Sequence, residues 1–261
     1  MARLTGFRGV LCVAIAAVWT LGGPAVAEPL RLITSRLRPF QDLDDNKVPG
    51  FSVEVLRRVF AVMDQDASFE DFPWERGWRM MLRGERDAMV TVLPTSDRER
   101  ICSFPNEPLK HERWVLFVRR ADIARLKFSS FDDLVGHDVA VHAPVAGVLD
   151  QPTVSPELWE FLREHQTMVE TSGGGESLRM LAAGHVDYAV VNLTVGRRDA
   201  AAIGLSGKVE PILSRSVIED GFSVCFSKAS VSPSLVEAFS RALKEFKQTE
   251  AFEAIYRKYF P

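Results

Sequence analysis

Apolar and polar positions along the chain follow two periods that take turns. "LRLIT" (30–34) is a short apolar, β-branched run and predicts a strand. In "FSVEVLRRVFAVM" (51–63), Phe51, Val55, Val59 and Met63 recur every four residues, which predicts an amphipathic helix. "ERGWRMMLRG" (75–84) predicts a second helix, stopped by Gly84 where the chain wants a left-handed residue. "DAMVTVL" (87–93) is a buried strand, broken at Pro94 and followed by a polar turn, Thr95-Ser96-Asp97, and then Arg98. Strands are predicted again over "RWVLFVRR" (113–120), "DVAVHA" (138–143), "VDYAVV" (186–191) and "GFSVCFS" (221–227). Helices are predicted over 155–165, 176–184 and 232–246. Two of these open with Ser-Pro, an N-cap followed by a proline at the first helical position. In the last, Leu235, Ala238, Phe239, Ala242, Leu243 and Phe246 share a face.

Alternation of this kind argues for an α/β protein with mostly parallel sheets. There is also a weak internal echo. "RMMLRGERDAMVTV" (79–92) and "RMLAAGHVDYAVVN" (179–192) both read as helix, Gly, two residues, Asp, buried strand. Two similar half-domains would give this pattern, and so would any two helix-turn-strand units.

The N-terminus changes the picture of where this fold works. Arg3 and Arg8 precede an apolar run, Val10 to Leu21, and Ala25-Val26-Ala27 follows it. This is the layout of a secretory leader cleaved after Ala27, so a periplasmic location is expected, with an uncleaved anchor as the alternative. The run is shorter than the roughly 20 residues a spanning helix needs. Cys12 follows Leu11 rather than a small residue, a poor context for lipid attachment. The chain's net charge is −3, and the leader holds two of its arginines and no acid. No basic stripe marks a nucleic-acid binder. Beyond the leader the cysteines are Cys102 and Cys225, too far apart to read as a framework. They are either a disulfide of an exported protein or two small buried side chains.

Chemistry concentrates at Arg98. Ligands of open α/β sheets bind at the C-terminal ends of strands, and Arg98 follows such an end. A turn there makes few core contacts, so the residue reads either as a ligand-facing cation or as a surface arginine paired with Asp97 or Glu99. Ser-His-Asp, Cys-His and HExxH arrangements and metal-ligand spacings do not occur in the sequence, so neither catalysis nor a metal or other cofactor is expected. "TSGGGES" (171–177) lacks the Lys of a phosphate-binding loop and reads as a turn with Thr171 and Ser172 as donors.

Five segments, in order, resemble the bacterial extracellular solute-binding proteins of family 3, the polar amino-acid-binding class of ABC transport systems. They are "RPFQDLDDNKVPGFSVEVLRRV", "RGERDAMVTVLPTSDRERICSFPNEPL", "FSSFDDLVGHDVAV", "LAAGHVDYAVVN" and "FKQTEAFEAIYRKYF". The resemblance implies a two-lobed periplasmic-binding-protein-like fold of type II, the lobes joined by two crossing strands, here "WVLFVRR" and "FSVCFSK". It implies a first lobe from 28–117 and 223–261, a second from 118–222, and a ligand held between them by hinge closure. The closing segment is then a last helix. A monomer delivering its ligand to an ABC permease in the inner membrane is expected. The alternatives are a binding protein that signals to a membrane receptor, and a dehydratase-like enzyme of the same fold.

Residue by residue, the resemblance makes Arg98 the clamp of the ligand's carboxylate, with Thr95 a donor beside it and Thr91 in the strand before. Trp74 becomes a stacking face, and Phe40 a hinge-side wall or simple core. Trp78, one turn beyond Trp74, reads as core, and His142 as a cleft or a loop residue. Thr34 and Asn192 stand where the family carries carboxylates for an α-ammonium; Leu37, Leu93 and Pro144-Val145-Ala146 also depart from its pattern. The expected ligand is therefore an organic anion, or a carboxylate with an apolar or aromatic part. Ordinary amino acids stay open if Glu54 or Glu75 reaches the cleft.

Overall fold

Why each segment adopts its conformation is visible in the computed structural model, which describes residues 28–44, 47–143 and 154–260. The expected leader and the Pro144-Val145-Ala146 segment lie outside the described residues. The elements run β1 (Leu30–Thr34), α1 (Phe51–Val62), β2 (Ala67–Asp71), α2 (Trp74–Leu82), β3 (Ala88–Val92), α3 (Ser96–Ile101), β4 (Cys102–Ser103) and β5 (Lys110–Arg119). They continue with β6 (Val139–His142), α4 (Pro156–Glu164), β7 (Met168–Thr171), α5 (Gly174–Ala183), β8 (Tyr188–Asn192) and α6 (Leu193–Ala202). Last come β9 (Val209–Pro211), β10 (Ile218–Ser227), α7 (Pro233–Phe246) and α8 (Glu250–Tyr259).

The strands form one curled sheet in the order β2-β1-β3-β10-β5-β8-β6-β7, with β4 added to β10 and β9 to β5. Pairing is parallel within β2-β1-β3 and within β8-β6-β7. It is antiparallel where β10 meets β3 and β5, and where β5 meets β8. This is the expected α/β, two-lobed architecture, but the antiparallel pairings of β5 and β10 make the sheet mixed rather than mostly parallel. The crossing pair is displaced from the expected segments: residues 110–114 of β5 face 218–222 of β10. "WVLFV" continues from there onto β8 and "FSVCF" onto β3, so the two predicted runs leave the crossing in opposite directions.

Packing follows the sequence stripes. Phe51, Val55 and Val59 of α1 are fully buried, while Met63 has become the helix C-cap. Gly50 precedes α1 with φ 103°, and a Cβ there would lie 2.4 Å from the Phe40 carbonyl oxygen, so glycine is required. The face of α7 centres on Val236, Phe239, Leu243 and Phe246, slightly rotated from the predicted one. The internal echo corresponds to two matching helix-turn-strand units, α2-β3 and α5-β8, each with a positive-φ glycine, Gly84 and Gly184. In each the following aspartate pins a neighbouring strand: Asp87 accepts from the Arg31 amide and guanidinium, both at 2.9 Å. Asp187 does the same for Arg119 at 3.1 Å and for His137 at 3.0 Å. Burial pushes both carboxyls up, but these donors outweigh it and leave both below the ordinary value.

Cys102 and Cys225 form a disulfide, with Cα atoms 5.4 Å apart, within a cluster of Ile33, Trp78, Met80, Met81, Met89 and Val92. Among the described residues no helix is long and apolar enough to cross a membrane.

Candidate functional site

The C-terminal ends of β3, β6 and β8 and the start of α5 converge on one cavity of about 580 Å³. Arg98 sits at its heart. Thr95-Ser96-Asp97 is not an open turn. Thr95 is the N-cap of α3, its hydroxyl accepting from the Arg98 amide at 3.4 Å. The short helix directs Arg98 inward, and the residue is only 2% exposed. Its guanidinium carbon lies 5.5 Å from the rings of both Trp74 and Trp78, and Nη1 donates to the Leu93 carbonyl at 2.6 Å. Burial pushes its pKa down to about 10, with the Asp97 charge acting the other way, so it remains a cation at neutral pH. Arg100, by contrast, is exposed and pairs with Asp97 at 2.7 Å.

Trp74 lines the cavity and meets Trp78 edge-on at 5.6 Å; Trp78 is core. Thr91 also lines it, with φ 59°, an unusual backbone for a β-branched residue, and its hydroxyl donates to Ser52 at 2.9 Å. Opposite, His142 and Asn192 end their strands at the cavity wall. Burial, and then the charge of Arg98, lower the pKa of His142. Asn192 caps α6, its side-chain oxygen accepting from the Val195 amide at 3.0 Å. Gly174 brings the start of α5 to the same wall.

Three of the expected residues are placed elsewhere. Thr95 is spent on its cap and is absent from the cavity lining. Thr34 is fully buried one layer behind, its hydroxyl donating to Asp71 at 2.9 Å. Phe40 is core: it is 0% exposed and packs on Phe222 and Phe260 at 4.9 and 5.7 Å. Neither acid suggested for an ammonium reaches the cavity. Glu54 is tied to Lys258 and Tyr259, and Glu75 lies on the exposed side of α2 with Arg79.

The sequence pattern missed four lining groups. Asp71, the acid among the described lining residues, ends the half-exposed strand β2, whose "ASFED" carries no clear period. Arg36 follows Ser35 at the rim and pairs with Asp42 and Asp44. Trp114 and Phe222, in contact at 5.1 Å, come from the two crossing strands and form an aromatic floor. Their apolar runs signalled burial, and only the register of the crossing reveals that they face a ligand-sized space. Leu37, Phe72, Leu93, Val190, Val191 and Val195 add to the apolar wall. Among the described residues no group of three or more His, Cys, Asp or Glu is placed to hold a metal.

Solved structures of this shape are numerous. A histidine kinase sensor domain with similarity to periplasmic binding proteins is 24% identical, with a TM-score of 0.71, covering 89% of this chain and 96% of its own. The arginine-, lysine-, histidine-binding protein ArtJ from Geobacillus stearothermophilus is 18% identical, with a TM-score of 0.71 over 89% and 95%. The ancestral amino acid-binding protein AncCDT-1, a precursor of cyclohexadienyl dehydratase, is 20% identical, with a TM-score of 0.66 over 89% and 95%. At these identities the likeness shows the fold alone. The comparison with curated proteins finds no match. The family model of the bacterial extracellular solute-binding proteins, family 3, matches residues 30–261. A two-lobed sheet, a cavity between the lobes and a family match of that length agree: the chain is a member of the bacterial extracellular solute-binding proteins, family 3.

Proposed function

We propose that the protein is a periplasmic binding protein that captures a small carboxylate with an apolar or aromatic body and delivers it to an ABC permease. The observation that supports this reading is a buried guanidinium facing a cavity walled by Trp74, Trp114, Phe222 and aliphatic side chains. Such a cation gains most from an anion that shares its dry surroundings, and its planar fork suits a carboxylate. The flat rings suit an apolar body. Asp71 would be the acceptor if the ligand also carries an amine, but it lies at the exposed rim and already takes the Thr34 hydroxyl.

In the proposed lobe division, 28–117 with 223–261 forms the first lobe and 118–222 the second. A thermal-shift screen of residues 28–261 against aromatic acids, aliphatic carboxylic acids and amino acids tests the ligand class. A ligand at 100 times its Kd adds about 2.7 kcal/mol of stability. Stabilisation by basic amino acids alone would overturn the reading. The likeness to a histidine kinase sensor domain favours one second reading, in which the closed form is read by a membrane receptor. Transport of the ligand into cells, lost on deletion of this gene, separates delivery from signalling.

A further inference from the structure

Glu112 is a buried carboxylate that the cavity does not use directly. It is 5% exposed and lies in the crossing segment of β5, two residues before Trp114 and therefore on the same face of the strand. One oxygen is paired with Lys110, two residues earlier on that face. The other accepts from the Thr194 hydroxyl at 2.8 Å and from the Asn192 side-chain nitrogen at 3.2 Å. Asp220, its register partner on β10, turns its carboxylate to the Gly221 amide at 2.6 Å.

These contacts fix which way the Asn192 amide points. Its oxygen takes the Val195 N–H at the start of α6, and its nitrogen faces a carboxylate that only accepts. The flipped amide would set oxygen against carboxylate and N–H against N–H. The one side-chain hydrogen left over on Asn192 is a donor, at a position that lines the cavity. An aspartate at 192 would instead place two carboxylates within hydrogen-bond range in a buried pocket, where both cannot be ionised without large cost.

We infer that Glu112 is a specificity-determining positioning residue: from the hinge it holds position 192 as a hydrogen-bond donor, so this position welcomes a ligand's acceptor and offers no side-chain acceptor to an α-ammonium. The inference rests on the cleft reading above and names the group that decides between an acid and the matching amino acid.

Two measurements test it. The first needs no ligand: thermal unfolding from pH 5 to 8 of the wild type, Asn192→Asp, Glu112→Gln and the double variant. In Asn192→Asp the facing carboxylates raise each other's proton affinity in the folded state. The folded protein then binds more protons than the unfolded chain, and stability falls as pH rises. The Tm of Asn192→Asp is expected to drop by several degrees more than the wild type over that range, and Glu112→Gln in the same chain is expected to restore the wild-type profile. A wild-type profile in Asn192→Asp overturns the inference. The second measurement is calorimetry with 3-phenylpropanoate and L-phenylalanine, which differ only in the amino group. The ratio of the two affinities is expected to shift at least tenfold towards L-phenylalanine in the double variant. A double variant that binds L-phenylalanine no more tightly than the wild type does overturns the inference, as does a wild type that prefers the amino acid. Arg98→Ala, measured alongside, separates the readings: unchanged binding there removes the carboxylate clamp, while the pH profiles still report on Glu112.

Discussion

Arg98 shows how burial changes what a single residue does for the structure. The sequence leaves both readings open, and a surface arginine would cost little to remove. Buried against two indoles and donating to Leu93, it is instead part of the local structure. Arg98→Ala therefore has two expected effects. Binding of a carboxylate ligand falls by about 2–5 kcal/mol, a factor of roughly 30 to several thousand, because one partner of a desolvated pair is gone. Stability falls by about 1–3 kcal/mol, because the Leu93 carbonyl loses its donor, partly offset by relief of a buried charge. Calorimetry and urea unfolding on the same variant read the two. Arg98→Lys recovers part of the binding, and the exposed Arg100→Ala leaves it unchanged.

His142 carries the pH dependence at this scale. Burial and the nearby Arg98 hold its pKa below the ordinary 6.5. In the unfolded chain it protonates first as pH falls, so the stability it contributes is present above 6.5 and is lost as pH drops from there towards the folded value. An anion bound in the same cavity offsets the Arg98 charge and lets His142 take up its proton. Affinity for a carboxylate that stays ionised is therefore expected to rise from pH 7.5 to 5.5, and to be flat in His142→Gln. Titration calorimetry at the two pH values, for both proteins, checks it.

At the scale of elements, strong periods were legible and short or half-exposed segments were not. The helix over Phe51–Val59 and the strand over Ala88–Val92 declare themselves because every apolar residue meets a neighbour. Strand β2 is an edge strand with one half-wet face, α3 is only 6 residues long, and α6 includes Gly196 within a polar run. None carries enough buried surface to impose a pattern. The same limit explains the site: Trp74, Thr91, Arg98 and Asn192 lie where strand ends converge and were foreseeable, whereas Trp114, Phe222 and Asp71 depend on the register between elements distant in sequence. Thr95 and Thr34 stand beside the cavity in sequence, but their hydroxyls are claimed by a helix cap and by Asp71. The disulfide belongs to this scale too. It ties the segment just after Arg98 to β10, over a sequence separation of 123. Closing so long a loop restricts the unfolded chain, and Cys102→Ser with Cys225→Ser is expected to cost about 2–5 kcal/mol. Guanidinium unfolding of the double variant, and of the wild type with and without reductant, measures it.

For the whole molecule, segments far apart in sequence contribute walls to one cavity, and the proposed hinge closure would bring a ligand against all of them. Saturation with a ligand found by the screen is expected to reduce the radius of gyration in small-angle scattering. It is also expected to change the intrinsic fluorescence of Trp74 and Trp114, which line the cavity. A ligand that binds without altering either would mark a cleft that does not move.

Strand β10 has a consequence for the order in which the molecule can be assembled. It pairs with β3 on one side and β5 on the other, and it is made after every other strand. As the chain is delivered from its N-terminal end, β5 to β9 can pair with one another before β10 arrives. The sheet that carries β3 and Arg98 keeps an open edge until residues 218–227 arrive, and α1 lacks its covering helices α7 and α8 until later still. Contacts of such long sequence separation form late and slowly. The arginine-bearing half of the cleft is thus completed last, and oxidation of Cys102 with Cys225 can only follow the arrival of β10, so the disulfide records that the final strand has docked.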